Sequence, residues 1–164
     1  MDTSRFIICR AAAGSGKTHT LVYNYLLLAF SAKGEELKKR FGRILAITFT
    51  NKAANEMKER ILRELDGIAR LGTESPMGHE IAEATRMDDT TLRAAATTVR
   101  QSILHNYSDF AVCTIDSFMY RVVRTFAHDL DLPMNFNVQI EEKELIQNAV
   151  DRLLLQAGTE EGKE

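Results

Sequence analysis

Ala11-Ala12-Ala13-Gly14-Ser15-Gly16-Lys17-Thr18 decides how the rest of this chain is read. Phe6, Ile7, Ile8 and Cys9 precede it as a short apolar run. Leu21, Val22, Tyr25, Leu28 and Ala29 follow it at helical spacing. A strand, a glycine-bearing turn, Gly-Lys-Thr and an amphipathic helix make up the context that a phosphate-binding loop requires. Gly14 and Gly16 let the backbone turn tightly, so that successive N–H groups face one anion. The start of the following helix adds partial positive charge. Lys17 has the reach for β- and γ-phosphates, and the Thr18 hydroxyl suits a place on Mg²⁺. The strict pattern opens with glycine, where Ala11 stands here. The bland rival is a Gly/Ser turn that happens to precede Lys-Thr. With a strand before it and a helix after it, the stretch reads as a nucleotide site.

The bulk numbers bound the class. A chain of 164 residues, 45% hydrophobic and 27% charged, suits about one globular domain with a sizeable core. The net charge of −2 gives no global basic field, so any nucleic-acid binding has to be built from local contacts. Cys9 and Cys113 each sit in an apolar run and read as buried thiols, not as a disulfide framework. No apolar run approaches a membrane span, and the first residues lack a signal-peptide layout, so the cytoplasm is the expected location and no membrane partner is expected. The histidines at 19, 79, 105 and 128 have no metal-ligand spacing, and no zinc or iron site is expected.

Along the chain, the spacing predicts a helix from Lys17 to about Ala32, then a solvated connection from Glu35 to Arg40. The run Lys38-Lys39-Arg40 reads as wet surface, with DNA contact as its rival. Arg43 to Thr48 has the near-continuous apolar character of a buried parallel strand. After the turn Phe49-Thr50-Asn51-Lys52, Ala54, Met57, Ile61, Leu65 and Ile68 mark a long helix, with Glu56–Arg60 and Glu59–Arg63 four apart on its outer face. Gly72 to Gly78 breaks it. A short helix near His79 to Met87 and a longer one carrying Leu92, Ala95, Val99, Ile103 and Tyr107 follow. Phe110 to Thr114 reads as the next strand. Asp116 and Ser117 are candidate caps of a helix with Phe118, Val122, Phe126 and Leu130 inward, ending at Leu132-Pro133. Asn135 to Ile140 reads as extended. A last helix from Glu141-Glu142 is expected to turn Leu145, Ala149, Val150, Leu153 and Leu154 inward. Met57 and Met119 read as core.

Strands alternating with helices in this order predict an α/β fold, a parallel sheet with flanking helices joined by right-handed crossovers. Ligands in such sheets bind at the carboxyl ends of the strands. The phosphate loop, the Thr48–Asn51 turn and the Thr114–Phe118 turn all fall at such ends, so they are expected to share one edge.

The loop, Ile47-Thr48-Phe49-Thr50-Asn51-Lys52-Ala53-Ala54 with Glu56-Met57, and Thr114-Ile115-Asp116-Ser117-Phe118 together resemble the superfamily 1 helicases. Within them the chain is most similar to the RecB/AddA-type helicase–nuclease branch of the UvrD family, and Ile103-Leu104-His105-Asn106-Tyr107 fits that branch too. The resemblance implies a P-loop NTPase (RecA-like) fold, incomplete here: residues 1–140 as the amino-terminal part of the first motor domain, and residues 141–164 as the start of an all-helical insertion. It implies ATP and Mg²⁺ as cofactors, held by Ala13, Gly14, Ser15, Gly16, Lys17 and Thr18, with Lys17 and Thr18 in the catalytic role and Thr18 on the metal. His19 stands where many relatives carry an arginine beside the adenine. The resemblance implies single-stranded DNA along Thr48, Phe49, Thr50, Asn51, Thr114, Asp116, Ser117 and Phe118, with Phe49 stacking on a base. It also implies, as one option, a partner subunit of a helicase–nuclease complex.

Each assignment has a rival. Phe49 reads equally as core at a strand end, and Asp116 and Ser117 read as helix caps before they read as catalysts. P-loop ATPases also place an acidic residue at the end of a further strand. No apolar strand ending in Asp-Glu follows Thr114. The expectation is therefore an amino-terminal part of a longer DNA helicase or helicase–exonuclease, inactive alone. A complete small P-loop kinase or NTPase, and a non-catalytic nucleotide- or DNA-binding module, are the other classes.

Overall fold

A computed structural model describes residues 16–127 and 142–156. The expected strand at 6–9, loop residues 11–15, Leu130 to Pro133 and the extended reading of 135–140 lie outside the described residues. The chain divides into two compact units, Met1–Phe118 and Met119–Glu164. The first holds α1 (Lys17–Ala29), α2 (Glu35–Arg40), β1 (Ala46–Thr48), α3 (Asn51–Leu71), α4 (Pro76–Thr85), α5 (Asp89–His105) and β2 (Val112–Thr114). Helix α6 (Ile115–Thr125) begins there, and α7 (Glu142–Gln156) lies in the second unit. β1 and β2 pair in parallel with Ala46 opposite Val112, Ile47 opposite Cys113 and Thr48 opposite Thr114. The described residues are thus mostly helical, with a small two-stranded parallel sheet in the first unit.

Helical periodicity accounts for the core of the first unit. α1 buries Val22, Tyr25, Leu26 and Ala29, α3 buries Ala54, Ile61, Leu65 and Ile68, and α5 buries Leu92, Ala95, Ala96, Val99 and Ile103. Each set recurs at three and four, which keeps it on one face. Phe30, Phe41, Ile44, Met77, Ile81, Phe110 and Val112 join the cluster, with Met57 packed at its side. Tyr25 meets Phe110 edge-on at 5.8 Å, and its hydroxyl donates to the Phe41 carbonyl at 3.5 Å. Burial pushes the Tyr25 phenol well above its ordinary range.

The break after α3 is a tight junction. Gly72 ends the helix at φ 57° and ψ −127°, a conformation essentially reserved for glycine. The Asp89 carboxylate accepts from the Thr73 N–H at 2.7 Å, the Thr73 hydroxyl at 2.9 Å and Arg93 Nε at 2.6 Å. Arg93 in turn donates to the Arg70 and Leu71 carbonyls, so the end of α3 is tied to the start of α5. Ser75 accepts from the Gly78 N–H at 3.0 Å, and Pro76 opens α4, where its missing donor costs nothing.

Several expectations are corrected. Glu35 to Arg40 is a helix, because Glu35 and Glu36 sit at its start and Lys38, Lys39 and Arg40 at its end, matching the dipole, and Lys38 reaches Glu35 at 2.7 Å. A 3-10 turn over Phe41–Arg43 shortens the strand after it. α3 packs against the sheet, while Ile47, pointing to the alternate face, is exposed, so β1 is not a buried strand. α1 ends at Ala29, and Leu21 and Leu28 flank its buried stripe instead of joining it. α4 starts earlier than expected, at Pro76, and stops at Thr85. Tyr107 lies in a turn beyond α5, with Lys58 Nζ 5.3 Å from its ring centroid. On α3 the ion pairs run Lys52–Glu56 and Asp66–Arg70 in place of the expected two. Cys113 is half-buried, as are Phe118 and Val122. Met119, Phe126, Ala149, Val150, Leu153 and Leu154 are exposed. A stripe at helical spacing marks the face a helix is able to bury, not one that its neighbours cover.

Candidate functional site

Gly16 precedes α1 in the left-handed region, at φ 76° and ψ 16°. A Cβ there meets none of the described residues within 4 Å, so the need for glycine is conformational. Lys17 and Thr18 follow as the first helical residues, both exposed, and no acidic residue falls in that turn. The N–H groups that open a helix point along its axis toward its start, so the start of α1 favours negative charge. His19 Nε2 lies 3.5 Å from Glu80 Oε1, which links the first turn of α1 to α4. Neither residue type nor spacing signals that pair in the sequence. Ala13, Gly14 and Ser15 lie outside the described residues.

The other two turns meet at the carboxyl edge of the sheet, because Thr48 and Thr114 are register partners at the ends of parallel strands. After β1, the Thr50 hydroxyl accepts from the Ala53 N–H at 3.1 Å and caps α3, with Asn51 exposed as its first residue. Phe49 projects from this turn at 85% exposure. Its reading as core is thereby removed. After β2, α6 starts at once. Thr114, not Asp116 or Ser117, supplies the cap: its Oγ1 accepts from the Ser117 N–H at 3.2 Å. A cap precedes the first helical turn, and Asp116 and Ser117 already lie inside it, exposed. Phe118 behind them is half-buried.

The edge therefore presents an exposed aromatic ring, an amide and a hydroxyl, flanked by two helix starts. The start of α1 presents an ammonium and a hydroxyl behind a left-handed glycine. Such groups bind anionic, acceptor-rich ligands with planar rings. This chain belongs to the UvrD/REP helicase N-terminal domain family, which it matches over residues 2–163. Among curated proteins it is similar to an ATP-dependent helicase/nuclease subunit of Bacillus cytotoxicus, with 32% identity over 152 residues, 92% of this chain and 10% of that protein. The proteins of the same name from Bacillus anthracis and Listeria monocytogenes are 30% and 31% identical over 93% and 96% of this chain. The chain spans about a tenth of the length of these relatives. No solved structure matches it significantly.

Proposed function

We propose that this chain is the ATP- and single-stranded-DNA-binding part of an ATP-dependent DNA helicase or helicase–exonuclease acting in DNA repair or recombination. The observation that carries the reading is Lys17-Thr18 exposed at a helix start behind the left-handed Gly16. In this reading the loop belongs to a RecA-like motor domain whose first part spans 1–140, with a helical insertion starting over 141–164. The groups present at the start of α1 fit a Mg²⁺-bound triphosphate: one cation, one hydroxyl, helix-start N–H groups and no carboxylate in the turn. Lys17 neutralises the outer phosphates, Thr18 takes a place on Mg²⁺, and the backbone from Ala13 to Gly16 lines the phosphates. His19 borders the nucleotide. When bound, ATP supplies the anhydride whose hydrolysis drives movement along DNA. Thr48, Phe49, Thr50, Asn51, Thr114, Asp116, Ser117 and Phe118 form the DNA track, which needs no net basic charge because stacking on Phe49 adds affinity through the faces of the bases. Because its relatives are named as subunits, a partner protein is part of the proposal, as is a cytoplasmic location. No described helix is long and apolar enough to cross a membrane.

The test is Mg²⁺-dependent binding of fluorescent ADP, with ATP hydrolysis followed in the presence and absence of single-stranded DNA. Lys17→Ala is expected to weaken nucleotide binding roughly tenfold or more, the worth of a charge-assisted hydrogen bond. An unchanged affinity refutes the nucleotide site. The isolated chain is expected to bind without sustained turnover, and DNA-stimulated hydrolysis by it overturns that part.

A further inference from the structure

Charge is unevenly placed along this chain. Residues 33–43 hold five basic and two acidic side chains, net +3, while the remaining 16 basic and 21 acidic residues give −5. Both acids in the stretch are engaged, Glu35 with Lys38 at 2.7 Å and Glu36 with Arg43 at 3.1 Å. Lys33, Lys39 and Arg40 make no ion pair among the described residues. Lys33 and Lys39 are exposed, and Arg40 is half-buried. The negative end of α2 accounts for Lys38, Lys39 and Arg40 being on that helix. It does not account for Lys33, which stands before the helix start, where a cation is disfavoured. Nor does it explain why Arg40 Nε is closed to solvent with no hydrogen-bond partner among the described residues. A cation that served only the helix end would keep its donors in water. The place of this cluster is defined by the strands. α2 and the turn at 41–43 lead into β1, and the turn at 107–109 leads into β2, so both stand at the amino ends of parallel strands. A Cβ at Gly42 would lie 3.6 Å from that of Asp109, which brings the two turns together. The cations around α2 are therefore at the opposite end of the sheet from Phe49.

We infer that this amino edge is a second nucleic-acid surface, which holds the phosphate backbone of duplex DNA by charge. Successive helical residues point about 100° apart, so Lys39 and Arg40 do not converge on one centre, and Lys33 lies outside the helix. A single phosphate meets one of these cations, whereas a duplex presents phosphates on two strands along its length. The aromatic ring at this edge is Tyr107, and it is already engaged: Lys58 Nζ lies 5.3 Å from its centroid, and Phe110 meets it edge-on at 5.9 Å. That favours paired DNA, whose bases offer no open faces, over a single strand that gains affinity by stacking. The inference goes beyond the single-strand reading above and uses none of its residues.

The test is fluorescence anisotropy of the whole chain with a short labelled blunt duplex, repeated between about 50 and 200 mM salt. Binding that weakens with salt is expected, and a chain that binds no duplex at low salt overturns the inference. Lys33→Ala, Lys39→Ala and Arg40→Met, the last keeping an apolar stem, are each expected to weaken binding whatever the duplex sequence and to lower the salt slope by about one. Lys33 and Lys39 are exposed, so their loss leaves the fold intact, and unchanged slopes in those two variants refute the surface whatever Arg40→Met does. Arg63→Ala removes the same charge from the exposed side of α3 and is expected to change nothing. An equal loss with Arg63→Ala means that net charge alone matters, which also refutes it. Labelled oligo(dT) separates this inference from the strand reading: Phe49→Ala should weaken oligo(dT) binding and spare the duplex, and Lys39→Ala the reverse. If oligo(dT) does not bind while Lys39→Ala still weakens the duplex, the strand reading falls and the second surface stands. If the duplex responds to Phe49→Ala and not to Lys39→Ala, it sits at the carboxyl edge and the inference falls.

Discussion

Two regions of the first unit are made from the same parts and use them in opposite ways. At the junction of α3, α4 and α5, the polar side chains find their partners within the chain: Ser75 on Gly72 and Gly78, and Asp89 on Thr73 and Arg93. At the carboxyl edge of the sheet, Thr50 and Thr114 also cap helices. The residues next to those caps, Phe49, Asn51, Asp116 and Ser117, face solvent. A closed polar network holds elements together, whereas an open one leaves donors and a ring for a ligand. The comparison predicts that substitutions at the junction act on stability and those at the edge act on binding.

The largest effect is expected at Gly72. An alanine there has to adopt a glycine-only conformation and drives its Cβ into the Asp89 carboxylate and Arg93 Nε. Gly72→Ala should cost about 3 kcal/mol in urea denaturation, from backbone strain and overpacking together. A loss below the error of the method would break the idea that this junction is closed. Next comes Asp89. The Thr73 N–H first, then Arg93 and the Thr73 hydroxyl, lower its carboxyl from 3.8 to about 2. With a depressed folded-state value, the ionised group contributes stability that is complete above about pH 4 and lost as pH falls through about 2. Melting between pH 5 and pH 2 should therefore drop more steeply for the natural chain than for Asp89→Asn, which starts lower. Parallel curves would show that the carboxylate is not held at the junction. The smallest effect on stability belongs to Phe49→Ala, since the ring is already in water. The same change should cost ~1–3 kcal/mol in affinity for oligo(dT). A shift in melting without a change in affinity would invert the comparison.

What was legible from residues alone follows the range of the interaction. The stripes of α3 and α5 and the places where β1 and β2 end are local patterns with periods of 3.6 and 2, and they agree with the structure. Gly-Lys-Thr at the start of a helix is also local, and α1 begins at Lys17. The junction was not legible, because Asp89 meets Thr73 and Arg93 meets the end of α3 across a long stretch of chain. Residue type points to Asp116 and Ser117 as the cap of α6, but β2 runs straight into the helix and leaves Thr114 to serve. Exposure was least legible of all. The apolar residues of α6 and α7 have the right spacing for a core, and spacing says nothing about whether a neighbour lies over them.

The parallel pairing of β1 with β2 has a consequence in time. The two strands are far apart in sequence, and all of α3, α4 and α5 lies between them. Helices form from near neighbours, whereas bringing Thr48 beside Thr114 closes a long loop whose entropy has to be met before the contact repays it. Packing of α3 on α5 shortens that search, so the edge that carries Phe49 and Ser117 is expected to assemble late, after the helices on which it rests.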